Sequence, residues 1–396
     1  MIKLFINGIG ASAGGGLTYL RNVIPHLSRR VDTETTVMLN PAIRREFEEL
    51  PNISFNEIPQ NFGSTAVLRR FLREQTAIPE LIRRSGAQVL ISTGNFALWN
   101  SPVPQILLSR NSLYVSSDFR RDVRARREYG IWGDTLVKGW LARQSVRRAD
   151  VTVAPSESFA LELSQWSGRK VVSLHHGFDS TAFTADTTPL PPAARAQLEQ
   201  ARDDLRLLFV SHYNYYRNFE TLFRALPLLR ERLKGKKVKL FLTCRLSSDE
   251  NPGSYRAEAA SSLLNNLRTS ESVVELGTIP YGSLHHVYRA CHIYVTPAYA
   301  ESFAHPLIES MSSGLPVVAS DLPVHREICG DAGIYFPRFS PEALAEQVLR
   351  VHDSPELAEQ LSKNGIRRAG DFSWSNHVES LIVLADELMR SERAKR

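Results

Sequence analysis

At 396 residues the chain exceeds what one ordinary hydrophobic core serves and implies about two domains. Its 43% hydrophobic and 23% charged residues exclude a disordered or fibrous chain, while three cysteines without C-x-x-C spacing, Cys244, Cys291 and Cys329, exclude a disulfide scaffold and fit a reducing, cytoplasmic compartment. The formal charge of +6 is modest, and no nucleic-acid partner is expected.

Taken in order, short apolar strands alternate with amphipathic helices, the pattern of doubly wound α/β domains. "MIKLFINGIG" holds too few apolar residues ahead of Asn7 and Gly8 for a signal segment and reads as a first strand; no stretch reaches the length of a membrane span. The turn Gly8, Gly10, Gly14, Gly15, Gly16 leads into a helix whose Leu20, Val23, Ile24 and Leu27 fall at i, i+3, i+4 and i+7. Such a loop lets backbone approach a phosphate or sugar, although its glycines miss the register of G-x-G-x-x-G and equally suit a plain turn. Strands are expected at "TVMLN", "VLIST", "QILLS" and "VTVAPS".

Between Arg110 and Arg148, ten cations stand against four carboxylates, so this segment carries the whole net charge. Within 119–148, Arg120, Arg121, Arg124, Arg126 and Arg127 precede Ile131, Trp132, Leu136, Val137, Trp140 and Leu141. That interleaving suits an anionic membrane surface, or equally packing on the first domain's own sheet with solvated arginines.

The polar, proline-bearing stretch 184–204 is the expected linker. The alternation resumes with strands at "RLLFVSH", "VKLFLTC", "VVELGTI", "HIYVTPA", "PVVAS" and "GIYF". In "LLFVSHYNYYRNFETLFRAL" a strand ends near Val210 and a helix starts near Asn218, an N-cap residue type. Arg217 then precedes a helix N-terminus, where a cation and free N–H groups share one diphosphate; an exposed surface arginine is the plainer alternative. His175 and His176 have no further ligand at metal spacing and no Asp-x-Asp follows a strand, so neither a metal site nor metal-dependent chemistry is expected.

"AESFAHPLIESMSSGLPVVASDLP", residues 300 to 323, carries two carboxylates in a strand–helix–strand context. Pro306 suits a first helical turn, Leu307, Ile308 and Met311 a buried stripe, Gly314 a left-handed cap, and Val317, Val318 and Ala319 the next strand. Glu301 therefore lies in a strand-to-helix loop and Glu309 about one turn inside the helix. Ligands of open parallel sheets bind at strand carboxyl ends, helix N-termini take phosphate, and carboxylates accept hydroxyl protons. Together these features point to a nucleotide sugar, while the spacing alone leaves open a solvated Glu309 and an ordinary loop Glu301.

With "VAPSESFALEL", "HHGFDSTAF" and a late "FSW", these stretches resemble the retaining glycosyltransferases of family four (glycosyl transferases group 1) over most of the chain. The most specific likeness is the pair Glu301 and Glu309 bracketing seven residues. The resemblance implies the GT-B fold: two Rossmann-like, doubly wound α/β domains facing a cleft. The acceptor-side domain would span 1–183, the linker 184–204 and the nucleotide-sugar domain 205–373, with helix 374–396 returning to the first domain. It further implies Glu309 on the ribose hydroxyls, Glu301 toward the donor sugar and Arg217 on the diphosphate. Ser211, His212, Ser302, Phe303, Ala304 and His305 would line the donor site, and Gly14, Gly15, Gly16, Arg110 and Asn111 the acceptor side or diphosphate loop.

The chain departs from the family pattern at three places. His212 or Tyr213 stands where a second cation is usual, Ser302-Phe303-Ala304 replaces Gly-Phe-Gly, and Arg110-Asn111 replaces His-Asp. The implied reaction moves a sugar from a nucleotide-diphosphate sugar, a donor substrate rather than a cofactor, to a glycan, lipid-linked or small-molecule acceptor. It would proceed with retention and without metal, in the cytoplasm or on the inner membrane face. A nucleotide-sugar epimerase of similar fold and a non-catalytic nucleotide-sugar-binding protein are the alternatives.

Overall fold

The computed structural model describes residues 1–11, 15–58, 66–233, 235, 237–251 and 255–395. Two compact units emerge: one comprises 1–115, 134–177 and 373–396, the other 116–133 and 178–372.

In the first unit, β1 (Ile2–Asn7), β2 (Thr33–Leu39), β3 (Ile53–Glu57), β4 (Val89–Ser92), β5 (Gln105–Leu108), β6 (Val151–Ala154) and β7 (Val172–Ser173) form one sheet in the order β3-β2-β1-β4-β5-β6-β7. Every pairing is parallel. Parallel sheets are covered on both faces, which is why β4 and β5 are continuous buried runs rather than alternating ones. The helix Gly15–Ser28 buries Leu20, Val23, Ile24 and Leu27, the stripe expected from the sequence. Packed with that stripe are Trp374, Val378, Leu381, Ile382 and Ala385 of the C-terminal helix Trp374–Lys395.

The second unit repeats the scheme with β8 (Leu205–Phe209), β9 (Val238–Leu242), β10 (Val273–Glu275), β11 (Ile293–Thr296), β12 (Val317–Ser320) and β13 (Gly333–Phe336). Their order is β10-β9-β8-β11-β12-β13, again all parallel. In each sheet the order reverses beside its first strand, at β1/β4 and at β8/β11, and ligands of such sheets bind outside the strand ends at this point.

All the expected strands form, and two more appear. β3 is an edge strand with one buried residue, and β7 has only two residues, so neither offers an apolar run to read. The segment 184–204 is not a connecting linker: Pro192–Gln200 is a helix started by Pro191 and Pro192, with Ala194 and Leu198 buried in the second unit's core. The chain crosses between units at 115/116, 133/134, 177/178 and 372/373, so that 116–133 belongs to the second unit although it lies far upstream of the rest of it in sequence.

That early segment is held by its charges. In the helix Ser117–Ala125 and the residues after it, Asp118 pairs with Arg338 at 2.8 Å, Arg126 with Glu220 at 2.8 Å, and Glu128 with Arg256 at 3.0 Å. The Tyr299 hydroxyl donates to Asp122 at 2.6 Å and that of Tyr215 to Glu128 at 2.8 Å. Of the segment's cations, Arg126 is thereby paired within the unit, while its carboxylates Asp118 and Glu128 pair with arginines from later in the chain.

Within the first unit, the chain ends nearest the crossings meet at Gly177. A Cβ there would lie 2.0 Å from the Trp374 backbone nitrogen, closer than any real contact allows. Gly177→Ala is therefore expected to force the start of the C-terminal helix out of place and to cost about 1–3 kcal/mol, the range for overpacking. Urea unfolding of the variant against wild type measures the loss.

Candidate functional site

The second unit's switch point brings together the loops that follow β8 and β11. After β8, the Asn214 side chain accepts from the Arg217 N–H at 3.2 Å and shapes a short turn, Tyr215–Arg217. Asn218 follows at φ 57° and occupies the N-cap position of helix Phe219–Arg232, as the sequence suggested, but its side chain does not cap that helix. Its amide instead donates to the Pro297 carbonyl at 3.0 Å, while its oxygen accepts from the Thr221 hydroxyl at 2.9 Å. The Tyr299 N–H also donates to the Tyr216 carbonyl at 2.9 Å, so the two loops are tied twice.

These ties set Arg217 against Glu301. The pair forms a hydrogen-bonded salt bridge with side chains 18% and 10% exposed, so little water competes for either charge. Burial opposes the Arg217 charge, but the attraction of Glu301 overrides it and the guanidinium pKa is raised. The guanidinium also lies 4.9 Å above the Tyr216 ring. On the other side, Glu301 Oε1 accepts from the Ser302 N–H at 3.2 Å. His212 is exposed nearby with its pKa pushed down by partial burial and by the Arg217 charge, whereas Tyr213 is fully buried. Of the two residues at the family's second cation position, His212 is the one able to meet a ligand. Ser211 shares that loop, its hydroxyl donating to the His212 carbonyl at 2.8 Å.

The helix His305–Ser312 begins after Ala304, which sits at φ 64°. This left-handed position is where the family pattern has glycine, and an alanine there carries a strain of about 1–2 kcal/mol. Phe303 is buried against His305 and Phe372, with ring centroids at 4.9 and 5.8 Å. One turn in, Glu309 is only 6% exposed, and its carboxylate accepts from the Tyr288 hydroxyl at 2.8 Å. Burial pushes the Glu309 pKa up to about 7 against the opposing hydrogen bond from Tyr288. Neither Tyr288 nor Asn218 carries a signal for this role in the sequence: nothing there singles out Tyr288, and Asn218 reads as a cap.

The first unit gathers the remaining candidates at its own switch point. Arg110, following β5, donates to the Gly15 carbonyl at 3.2 Å and to the Thr93 carbonyl, with its guanidinium 5.0 Å above the Tyr19 ring. Burial pushes its pKa down to about 10, which leaves it cationic at neutral pH. A Cβ on Gly16 would stand 3.3 Å from Ala11 Cα and 3.5 Å from Arg110 Nη2, so this glycine makes room for the arginine. Gly14 lies outside the described residues. The N–H groups of Arg110 and Asn111 both donate to Asn95 Oδ1, at 2.6 and 3.1 Å, and the Asn111 side chain caps the turn Ser112–Tyr114. His176 is packed among Tyr19, Trp374 and His377, and no group of metal-ligating side chains occurs among the described residues.

Residues 192–368 match the family model for Glycosyl transferases group 1, so the resemblance read from the sequence is borne out over the stretch that holds Arg217, Glu301 and Glu309. Among curated proteins, the chain is 27% identical over 248 residues to a D-inositol 3-phosphate glycosyltransferase of Thermobifida fusca, covering 60% of this chain and 55% of that one. It is 33% identical over 107 residues to O-antigen chain mannosyltransferase B of Escherichia coli, covering 27% and 28%. The chain thus spans about half the length, or less, of these relatives. Two solved structures share the fold over nearly all of both chains. Sucrose-phosphate synthase of Thermosynechococcus elongatus superposes with TM-score 0.79 at 18% identity over 99% and 100% of the chains. HepE of Anabaena in complex with UDP-glucose superposes with TM-score 0.66 at 15% identity over 100% of each. The fold is GT-B.

The buried state of Glu309 has a measurable signature. Its folded pKa is raised, so folding favours the protonated form. The unfolded chain ionises first as pH rises, and stability is lost from the ordinary carboxylate range up to about 7. Glu309→Gln, which keeps an acceptor for Tyr288, is expected to match wild type near pH 4 and to exceed it by about 3 kcal/mol at pH 8. Urea denaturation at the two pH values tests this, and an equal difference at both would contradict it.

Proposed function

We propose that this protein, whose second unit carries the glycosyl transferases group 1 match, is a glycosyltransferase. It moves a sugar from a nucleotide-diphosphate sugar to an acceptor hydroxyl with retention at the anomeric carbon and without a metal ion. The observation that carries the reading is the Arg217–Glu301 pair at the β8/β11 switch point, with the buried Glu309 one turn into the helix that follows Glu301.

On this reading the donor diphosphate competes with Glu301 for Arg217. Once released, Glu301 turns its carboxylate to the sugar hydroxyls while Glu309 accepts from the ribose, so both carboxylates exchange protein partners for hydroxyls. Arg217 supplies the positive charge facing the leaving diphosphate, in a site where partial exclusion of water strengthens the interaction. The diphosphate then takes the proton of the acceptor hydroxyl on the face it leaves, which accounts for retention without a second carboxylate. Positioning and a field built before the reaction would supply most of the barrier lowering.

UDP and UDP-glucose, named with the HepE structures, are the first probes for the donor. A panel extended to other nucleotide sugars is expected to contain one that stabilises the protein by roughly 2.7 kcal/mol at 100 times its dissociation constant. With that donor, transfer to a glycan or lipid-linked acceptor should survive chelator, and Arg217→Ala should bind the nucleoside diphosphate roughly 10- to 100-fold more weakly. Loss of turnover in EDTA with recovery on adding a divalent ion would overturn the metal-free chemistry. Isomerised donor without transfer would favour an epimerase, and binding with neither product a non-catalytic binder.

The proposal extends to a cytoplasmic location with an anionic membrane as partner. No helix among the described residues is long and apolar enough to cross a membrane. On helix Tyr129–Arg148, however, Leu136, Val137 and Trp140 are exposed, Trp140 to 57%. Leu141, read from the sequence as part of that face, packs instead with Phe71 and Phe96, and Trp132 is half-buried. Arg147 and Arg148 follow at the helix end, and each cation near an anionic surface adds about 1 kcal/mol. Co-sedimentation with phosphatidylserine vesicles at low salt should be reduced in Val137→Ser/Trp140→Ser; unaltered or absent binding would reject the surface.

A further inference from the structure

His325 lies in helix Pro323–Cys329, directly after β12, and is fully buried. Its Nδ1 stands 2.9 Å from the Ser320 carbonyl oxygen and 3.2 Å from Ser320 Oγ, which itself donates to the Ala298 carbonyl. A carbonyl oxygen only accepts, so Nδ1 carries the proton and Nε2 is left as a bare acceptor. That Nε2 is buried without a hydrogen-bond partner among the described residues. So is Arg217 Nε, which is a donor. The two groups belong to one neighbourhood: Ser320, which holds the imidazole, donates to the Ala298 carbonyl, and the adjacent Pro297 carbonyl accepts from Asn218, the residue next to Arg217. An unsatisfied acceptor and an unsatisfied donor thus lie at the same set of strand ends, and buried orphans of this kind are uncommon and costly.

We propose that His325 is a positioning residue for Arg217: its Nε2 accepts the Arg217 Nε–H when the guanidinium leaves Glu301 for the donor diphosphate. Arg217 then has two seats, one hydrogen-bonded to Glu301 and one held between His325 and the diphosphate. The second seat satisfies both orphans at the moment the ion pair is given up. An imidazole serves here because it is rigid, fixed in one tautomer by Ser320, and uncharged. Burial pushes its pKa down to about 4, so it does not repel the guanidinium at neutral pH. The inference rests on the proposed donor site and adds a residue that the paired-glutamate pattern does not contain.

Two substitutions separate this role from mere packing. His325→Leu fills the space without an acceptor, and His325→Gln restores one. Affinity is measured for whichever of UDP, GDP and ADP binds wild type most tightly, and for the matching nucleoside, which lacks the diphosphate. The Leu variant is expected to lose roughly 10-fold or more in diphosphate affinity and in kcat, the Gln variant to recover most of both, and nucleoside binding to stay constant throughout. Unchanged diphosphate affinity in Leu, or an equal loss for nucleoside and diphosphate, would overturn the role. Should the Leu variant not fold, 15N spectra of wild type decide: the Nε2 resonance is expected to move to the hydrogen-bonded range on adding the diphosphate, and no movement overturns the proposal. Wild type that binds none of the three nucleotides defeats the donor-site reading itself and this proposal with it, whereas wild-type binding with an unaffected Leu variant defeats the His325 role alone.

Discussion

The ion pair between Arg217 and Glu301 is the constraint on which the second unit's site turns, because two opposite charges withdrawn from water must keep each other or be given replacements. In the arrangement described, each is the other's principal partner. Around them burial works against charge at two further groups. Burial raises the Glu309 pKa to about 7, with Tyr288 donating to its carboxylate, and holds His325 neutral. A ligand bringing a diphosphate and a row of hydroxyls offers each of these groups a partner. A purely apolar ligand offers none.

The scaffold makes this pairing specific rather than incidental. Arg217 and Glu301 come from loops 84 positions apart in the chain, yet β8 and β11 are hydrogen-bonded neighbours at the reversal of strand order. Asn218 and the Tyr299–Tyr216 backbone bond tie those loops together, so the two charges meet on fixed backbone instead of on mobile side chains alone. The Ala304 backbone is held at φ 64° by the same surroundings, which is the kind of local strain that functional loops carry.

The alternation of apolar runs and helical stripes was enough to read all the described strands but β3 and β7, and the helix at Pro306, because buried parallel strands and amphipathic helices write their period into the sequence. β3 and β7 escaped since an edge strand with a single buried residue and a two-residue strand have no period to write. The candidate site was legible at Glu301, Glu309 and Arg217 through strand-end and helix-start geometry. It was illegible at Tyr288, Asn218 and His325, whose partners are fixed only by tertiary contact. The pairing of the early charged segment was hidden for a related reason: Asp118 reaches an arginine 220 positions away, and no local pattern announces such a partner. The polar stretch at 184–204 misled because prolines that look like a linker also begin helices.

The interleaving of the two units along the chain has a consequence for synthesis. The second unit needs residues 116–133, made well before the rest of it, and the first needs 373–396, made after the second is complete. A nascent chain that has emerged through residue 177 therefore holds the whole first sheet but not Trp374, Val378, Leu381 and Ile382, which fill the core beside the stripe on Gly15–Ser28. Its Asp122, Arg126 and Glu128 likewise wait for Tyr299, Glu220 and Arg256. Domains made from contiguous sequence fold one after another as they leave the ribosome. Here the second unit lacks part of its chain until residue 372 is out, and the first until the helix Trp374–Lys395 follows, so the apolar face of the first unit stays uncovered until after the second unit has been made.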